Sequence, residues 1–150
     1  MNKRGRYRPI DLIVVAVANL MNIVMVVVFL LRSMMIGRLL VVGFIWAALI
    51  LVLASVVVSN IGAKRPWWAI VLPLLLAVFL ILEIALDYVA KYDFRSTILL
   101  APYLLLYYVS ILGIIGYSFL TEKKYGFMTL ATYFVSQIAA FYSYFKVGHG

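Results

Sequence analysis

The sequence predicts an all-α integral membrane protein, a polytopic bundle of five transmembrane helices in a single domain that covers residues 1–150. Hydrophobic residues make up 67% of the chain and charged residues 12%, whereas soluble domains contain about 45–50% and about 25%. The apolar residues form continuous runs of about 20, the length that crosses a bilayer core of ~30 Å as a helix. A soluble fold of this size cannot bury so much apolar surface, and transmembrane strands alternate over only about 10 residues.

The predicted spans are separated by short polar or basic segments. They cover residues 12–31, 39–60, 67–90, 97–120 and 127–145. The clearest boundary combines Gly62, the basic pair Lys64-Arg65 and Pro66, three separate signals that end a helix. Further turns are expected over residues 32–38 and 121–126, and Ser96 or Thr97 can cap the fourth helix. We interpret the basic residues before the first run as flanking a retained helix, because that run is too long for a signal peptide.

The fifth run is the most polar of the five, so four spans remain the alternative. It carries no charge but contains Thr129, Thr132, Ser136, Gln137 and Ser143. Inside a bilayer these side chains can bond their own backbone or a neighbouring helix. We therefore predict a fifth span, with Ser136 and Gln137 as intramembrane packing residues.

The basic residues predict the orientation of the bundle. With a cytoplasmic N-terminus, the inner side holds Lys3, Arg4, Arg6, Arg8, Lys64, Arg65, Lys123 and Lys124, and the outer side holds Arg32, Arg38, Lys91, Arg95 and Lys146. Because basic residues are enriched on the cytoplasmic side, the larger set favours a cytoplasmic N-terminus and an external C-terminus, in a plasma (inner) membrane. The net charge of +8 is then an orientation signal that also contacts anionic lipid, and we expect no nucleic-acid partner.

Acidic residues near the end of the third span form the first candidate site. Glu83, Asp87 and Lys91 are spaced four residues apart and share one helix face. An unpartnered carboxylate at the depth of Glu83 costs on the order of 2–3 kcal/mol, so it must face the bundle, form a pair, reach the interface or be protonated. Two interpretations follow: a proton or cation site, or a polar network in which tyrosines bind Glu83.

Tyrosines on the fourth span extend this candidate site. Tyr103 and Tyr107 lie one turn apart near Pro102. Together with Glu83 and Asp87 they could hold a cationic or amphiphilic ligand through hydrogen bonds and cation–π contacts. An ordinary aromatic belt at the membrane interface is the alternative.

The first span carries a second polar feature, the amides of Asn19 and Asn22. They lie near its middle on one face, and amides at that depth usually bond a neighbouring helix. Small residues at Gly43 and Ala47, and at Ser110 and Gly113, likewise predict close helix packing. A pore lined by the two asparagines is the alternative.

Residues for covalent or metal-assisted chemistry are missing from the sequence. It contains no cysteine and one histidine, and it lacks phosphate-loop, HExxH and GxSxG motifs. We therefore expect no catalytic residues, no metal and no cofactor. The favoured interpretation is a non-enzymatic structural or accessory subunit, or a module that binds lipid or amphiphiles. A small proton- or cation-coupled transporter or channel that uses Glu83 and Asp87 is the alternative, and a lipid-modifying enzyme that uses Asp87 with Lys91 is a third interpretation. Expected partners are membrane lipids and either further copies of the chain or the subunits of a larger membrane complex.

Overall fold

A computed structural model describes residues 3–34, 40–90 and 97–147, and over these ranges the chain forms five helices and no strand. The helices are α1 (Lys3–Ser33), α2 (Leu40–Gly62), α3 (Trp67–Ile84), α4 (Leu100–Thr121) and α5 (Lys123–Val147). α3 continues into a π-helical turn, Ala85–Val89. Helices are the expected solution because their backbone groups are satisfied within one segment. The predicted all-α helical bundle is confirmed.

Four of the helices are long and apolar enough to cross a membrane. The qualifying segments are Pro9–Leu31, Leu40–Gly62, Trp67–Val89 and Leu100–Thr121. Only 33–44% of each segment is buried inside the bundle, and the outward side chains are largely apolar, such as Phe44, Leu51 and Leu105. A soluble protein does not display apolar surface of this extent. The chain is therefore a helical membrane protein.

The helices pack as a ring in chain order, α1, α2, α3, α4 and α5, and α5 closes the ring against α1. α1 also contacts α4 across the ring. The most extensive contact joins α1 and α5, the first and last helices of the chain. The core of the bundle consists of aliphatic and aromatic side chains. Its fully buried members are Val14, Ala18, Leu53, Ala69, Leu76, Leu80, Ile111, Ile114 and Tyr117.

Contacts between helices show that consecutive helices run in opposite directions. On α1 and α5, Asn19 bonds Thr129 and Asn22 bonds Thr132, so the residue numbers rise together and these helices are parallel. On α3 and α4, Glu83 bonds Tyr103 and the Leu75 carbonyl bonds Ser110, so these helices are antiparallel. The start of α1 and the end of α5 therefore lie at opposite ends of the bundle. We call these the Asp11 end and the Glu83 end, after the buried acids near each.

The turn between α2 and α3 is a Schellman motif, in which two backbone bonds close the end of a helix. The Arg65 amide donates to the Asn60 carbonyl and the Lys64 amide to the Ile61 carbonyl, both at 3.0 Å. Lys64 is the left-handed residue of the motif, with φ 51°. The predicted glycine stop at Gly62 is thus shifted, because Gly62 is still helical and a lysine takes the position where glycine is usual.

The connection between α4 and α5 is shorter than predicted. Only Glu122, in extended conformation, separates the two helices, so most of the predicted turn over residues 121–126 is the first turn of α5. Gly126 allows this close approach, because a Cβ there would overlap the Phe119 ring. At the other end of α4, Thr97 accepts a bond from the Leu99 amide at 3.3 Å and the helix begins at Leu100. Thr97 therefore does not cap the helix, and Ser96 lies outside the described residues.

Candidate functional site: polar clusters inside the bundle

The predicted acidic pair is buried at the Glu83 end. Glu83 is 6% exposed and Asp87 is 4% exposed. The Tyr103 hydroxyl, on α4, donates to Glu83 Oε2 at 2.5 Å. This hydrogen bond between side chains of neighbouring helices ties α3 to α4. Lys91, the third member of the predicted set, lies outside the described residues.

Tyr107 connects the same region to α5. It is buried, and the Gln137 Nε2 donates to its hydroxyl at 3.0 Å. Phe79 of α3 packs against both tyrosines, with ring centroids 5.6 Å from Tyr103 and 5.3 Å from Tyr107. The structure thus links Glu83 to Tyr103 directly, and Phe79 connects Tyr103 to Tyr107 and so to Gln137. Asp87 is buried one turn beyond Glu83 on the same helix and is counted with them. We call this group the Glu83 cluster.

The π-helical turn gives the Glu83 cluster its local shape. The Ala90 amide bonds the Ala85 carbonyl at 2.8 Å, five residues back instead of four. This wider turn holds Asp87 inside the bundle and places the Tyr88 ring against α2. There it meets Gly43, where an added Cβ would lie 3.1 Å from the ring. Gly43 therefore serves the close packing that its sequence pattern predicts, and π turns of this kind are frequent at functional sites.

A second polar cluster lies between α1, α4 and α5. Asn19 Nδ2 donates to Thr129 Oγ1 at 3.0 Å, and Thr132 Oγ1 donates to Asn19 Oδ1 at 2.9 Å. Asn22 Nδ2 donates to Thr132 Oγ1 at 3.0 Å. Thr129 also reaches Ser118 of α4 at 3.2 Å. These five residues are called the polar layer below, and their bonds cross all three helices.

Ser136, one turn beyond Thr132 on α5, is fully buried at 0% exposure. Its hydroxyl donates to the Tyr133 carbonyl of its own helix at 2.7 Å. The predicted packing set, Asn19, Asn22, Ser136 and Gln137, therefore lies on the interior faces of α1 and α5, and Gln137 belongs to the Glu83 cluster instead of the polar layer.

A third cluster, at the Asp11 end, was not anticipated from the sequence. Arg65 Nη1 donates to Asp11 Oδ1 at 2.5 Å and lies 3.3 Å from Asn60 Oδ1. The Tyr117 hydroxyl donates to the same Asp11 oxygen at 2.6 Å. Trp68 covers the group, with its ring 5.8 Å from the guanidinium carbon and 5.3 Å from the Tyr117 ring. We call this group the Asp11 cluster.

The Asp11 cluster contains a buried ion pair. The side chain of Arg65 is 6% exposed and that of Asp11 is 12% exposed. Burial lowers the pKa of Arg65, but the hydrogen bond to Asp11 and the electrostatic interactions with Tyr117 and Asp11 outweigh that effect, so the pKa lies above its ordinary value. Arg65 is therefore charged at every physiological pH. The available sequence signal was an acid directly before an apolar run together with a basic pair in the next turn on that side.

The three clusters provide buried hydrogen-bond donors, acceptors and charges that can bind a ligand or brace the helices. Three of the five acids in the chain, Asp11, Glu83 and Asp87, are buried in the clusters. Carboxylates at such depth are functional-site candidates by default. In comparisons with known proteins, no family model matches the chain, and neither the curated proteins nor the solved structures contain a significant match. Function must therefore be argued from the site alone.

Proposed function

We propose that this protein is a non-enzymatic membrane bundle that serves as a structural or accessory subunit. The observation that carries this proposal is the direction of its polar side chains. The polar groups of α1, α4 and α5 bond one another across helix interfaces, and the surface around them is apolar. A bundle organised in this way offers lipids and neighbouring membrane proteins a rigid apolar face.

The proposal includes α5 as a fifth span. Its 25 residues correspond to about 37 Å at about 1.5 Å per residue, longer than the bilayer core of ~30 Å. Its polar side chains face α1 and α4. Its outward side chains are mostly apolar, namely Phe127, Met128, Phe134, Val135, Ile138, Phe141 and Phe145, and they include Tyr142 and Tyr144 toward the Glu83 end. The inward polar residues lower the mean hydropathy of α5 without exposing any of them to lipid.

Orientation is the second part of the proposal. The Asp11 end carries Lys64, Lys123 and Lys124, in addition to the basic residues in the first turns of α1, and so belongs on the cytoplasmic side. A reporter fused after Gly150 is then expected outside, and one inserted at residues 64–65 inside. Reporters on the same side would contradict the five-span arrangement.

The subunit role predicts a defined assembly. Protein extracted in mild detergent and examined by native mass spectrometry should give a fixed stoichiometry, either with other subunits or with copies of itself, and with bound lipid. A monomer without partners would contradict the subunit role.

The structural role also predicts that the Tyr103–Glu83 bond stabilises the bundle. Tyr103→Phe should therefore lower the free energy of unfolding by about 1–3 kcal/mol, the range for removing one partner of a buried polar group. Tyr108→Phe is the matched control, because Tyr108 is 40% exposed.

A second candidate function is proton or cation transport through Glu83 and Asp87. It is favoured by one observation, the burial of two carboxylates one turn apart beside a π-helical turn. Reconstituted vesicles with a pH-sensitive dye test it under imposed proton, sodium and potassium gradients. Transport predicts a flux that Glu83→Gln abolishes and that Glu122→Gln, at the opposite end, leaves intact. Wild-type protein without flux would refute this candidate.

A further inference from the structure

We propose that the Asp11–Arg65 ion pair is a latch that closes the Asp11 end of the bundle and that its opening admits water to the polar layer. The latch joins three separate parts of the chain: α1 through Asp11, the α2–α3 turn through Arg65, and α4 through Tyr117. Breaking it therefore removes one contact from each of three elements at once.

The latch lies directly over the polar layer. Asp11 precedes Asn19 by two helical turns, about 12 Å along the axis of α1. On α4 the two groups are adjacent, because Tyr117 bonds Asp11 while Ser118 bonds Thr129. Water that passes the latch thus reaches polar side chains that can replace their mutual hydrogen bonds with bonds to water.

The chemistry of the latch suits a contact that opens. Well-packed apolar residues often stabilise a protein at least as well as a buried ion pair, so the pair is not the most stable filling for this space. Both charges also lie at a boundary of the apolar segments, since Pro9–Leu31 begins two residues before Asp11 and Trp67–Val89 begins two residues after Arg65. Long basic side chains reach water from such positions by a short movement. The open state is therefore solvated, which would not hold for a pair at the centre of the bilayer.

The backbone next to Arg65 provides an independent observation. Lys64 adopts φ 51°, a conformation that residues with a Cβ disfavour and that concentrates at switch regions and ligand clamps. The strain lies in the residue that leads directly into the latch.

Single cysteines test the proposal, because the natural chain contains none. Ser118→Cys reports on the polar layer, and Ser136→Cys is the matched control nearer the Glu83 end. Both serines are 0% exposed. A membrane-impermeant thiol reagent is applied to right-side-out and to inverted vesicles, in the natural background and with Asp11→Asn.

With Asp11→Asn, labelling of Ser118→Cys should accelerate several-fold from one side of the membrane only, and labelling of Ser136→Cys should not change. The charge-reversed pair Asp11→Arg with Arg65→Asp should restore slow labelling. Equal acceleration at both cysteines would indicate general loosening and would overturn the proposal, as would no acceleration at Ser118→Cys. Failure of Asp11→Asn to fold would also overturn it, because a contact required for folding cannot be one that opens.

Discussion

Thr129→Val removes one hydroxyl from the polar layer while keeping the branched shape of the side chain. Thr129 is fully buried, and its hydroxyl accepts a bond from Asn19 Nδ2 at 3.0 Å and contacts Ser118 Oγ at 3.2 Å. Interhelical side-chain bonds in membranes contribute about 0.6 kcal/mol on average and about 1.7 at most. Asn19 keeps its bond to the Val15 carbonyl, but its second amide proton loses its acceptor in a region without bulk water. We therefore expect the free energy of unfolding to fall by about 1–2 kcal/mol.

The measurement is reversible unfolding in mixed detergent micelles, followed by far-ultraviolet circular dichroism. Ser55→Ala is the control, because Ser55 faces outward and bonds only the Leu51 carbonyl of its own helix at 2.8 Å. Its expected effect is within about 0.5 kcal/mol. A double-mutant cycle between Ser118→Ala and Thr129→Val should give a coupling energy of about 0.6 kcal/mol. If Thr129→Val were as stable as Ser55→Ala, the hydrogen bonds of the polar layer would not hold the helices together.

Two further substitutions test local features of the turns. Lys64→Gly should raise the free energy of unfolding by about 0.5–1 kcal/mol, because glycine adopts positive φ without strain. Lys64→Ala removes the charge but keeps the Cβ, so it should not raise the free energy of unfolding. Equal effects of the two substitutions would show that the gain comes from removing the charge. Gly126→Ala should lower the free energy of unfolding by about 1–3 kcal/mol, because the added Cβ overlaps the Phe119 ring. Gly116→Ala is the control: nothing lies within 4 Å of its added Cβ, so the free energy of unfolding should stay unchanged or rise by up to about 1 kcal/mol. A neutral Gly126→Ala would show that the Phe119 ring can move aside. Both pairs are measured by the same micelle unfolding.

The membrane fold could be predicted because continuous apolar length is a local property of the sequence. The four apolar helices occupy nearly the predicted runs, and each predicted boundary that combined a charge with glycine or proline lies at or near a helix end. These signals locate a connection between helices but do not predict its length. The turn between α4 and α5 contracts to Glu122 because the packing of Phe119 on Gly126 fixes the angle between the helices, and that packing is a tertiary contact.

The site could be predicted only in part, because helical spacing relates residues within one helix. Spacing placed Glu83 and Asp87 on one face, and both are buried. It could not identify Tyr103 as the donor to Glu83, since that bond depends on how α4 lies against α3. The Asp11–Arg65 pair is a stronger case, because the two residues are 54 positions apart and meet only when the α2–α3 turn lies beside the start of α1.

The positions of the three clusters explain how so apolar a chain can specify one arrangement. Lipid tails are as apolar as leucine, so hydrophobic burial does not choose between rotations of a helix in the bilayer. A buried polar group does choose, because turning it toward lipid leaves it without a partner. The Asp11 cluster joins α1 to α4 and the α2–α3 turn, the polar layer joins α1, α4 and α5, and the Glu83 cluster joins α3, α4 and α5. Because α4 takes part in all three clusters, through Tyr103 and Tyr107 near its start and Tyr117 and Ser118 near its end, its rotation is fixed at both ends, and the other helices are oriented against it.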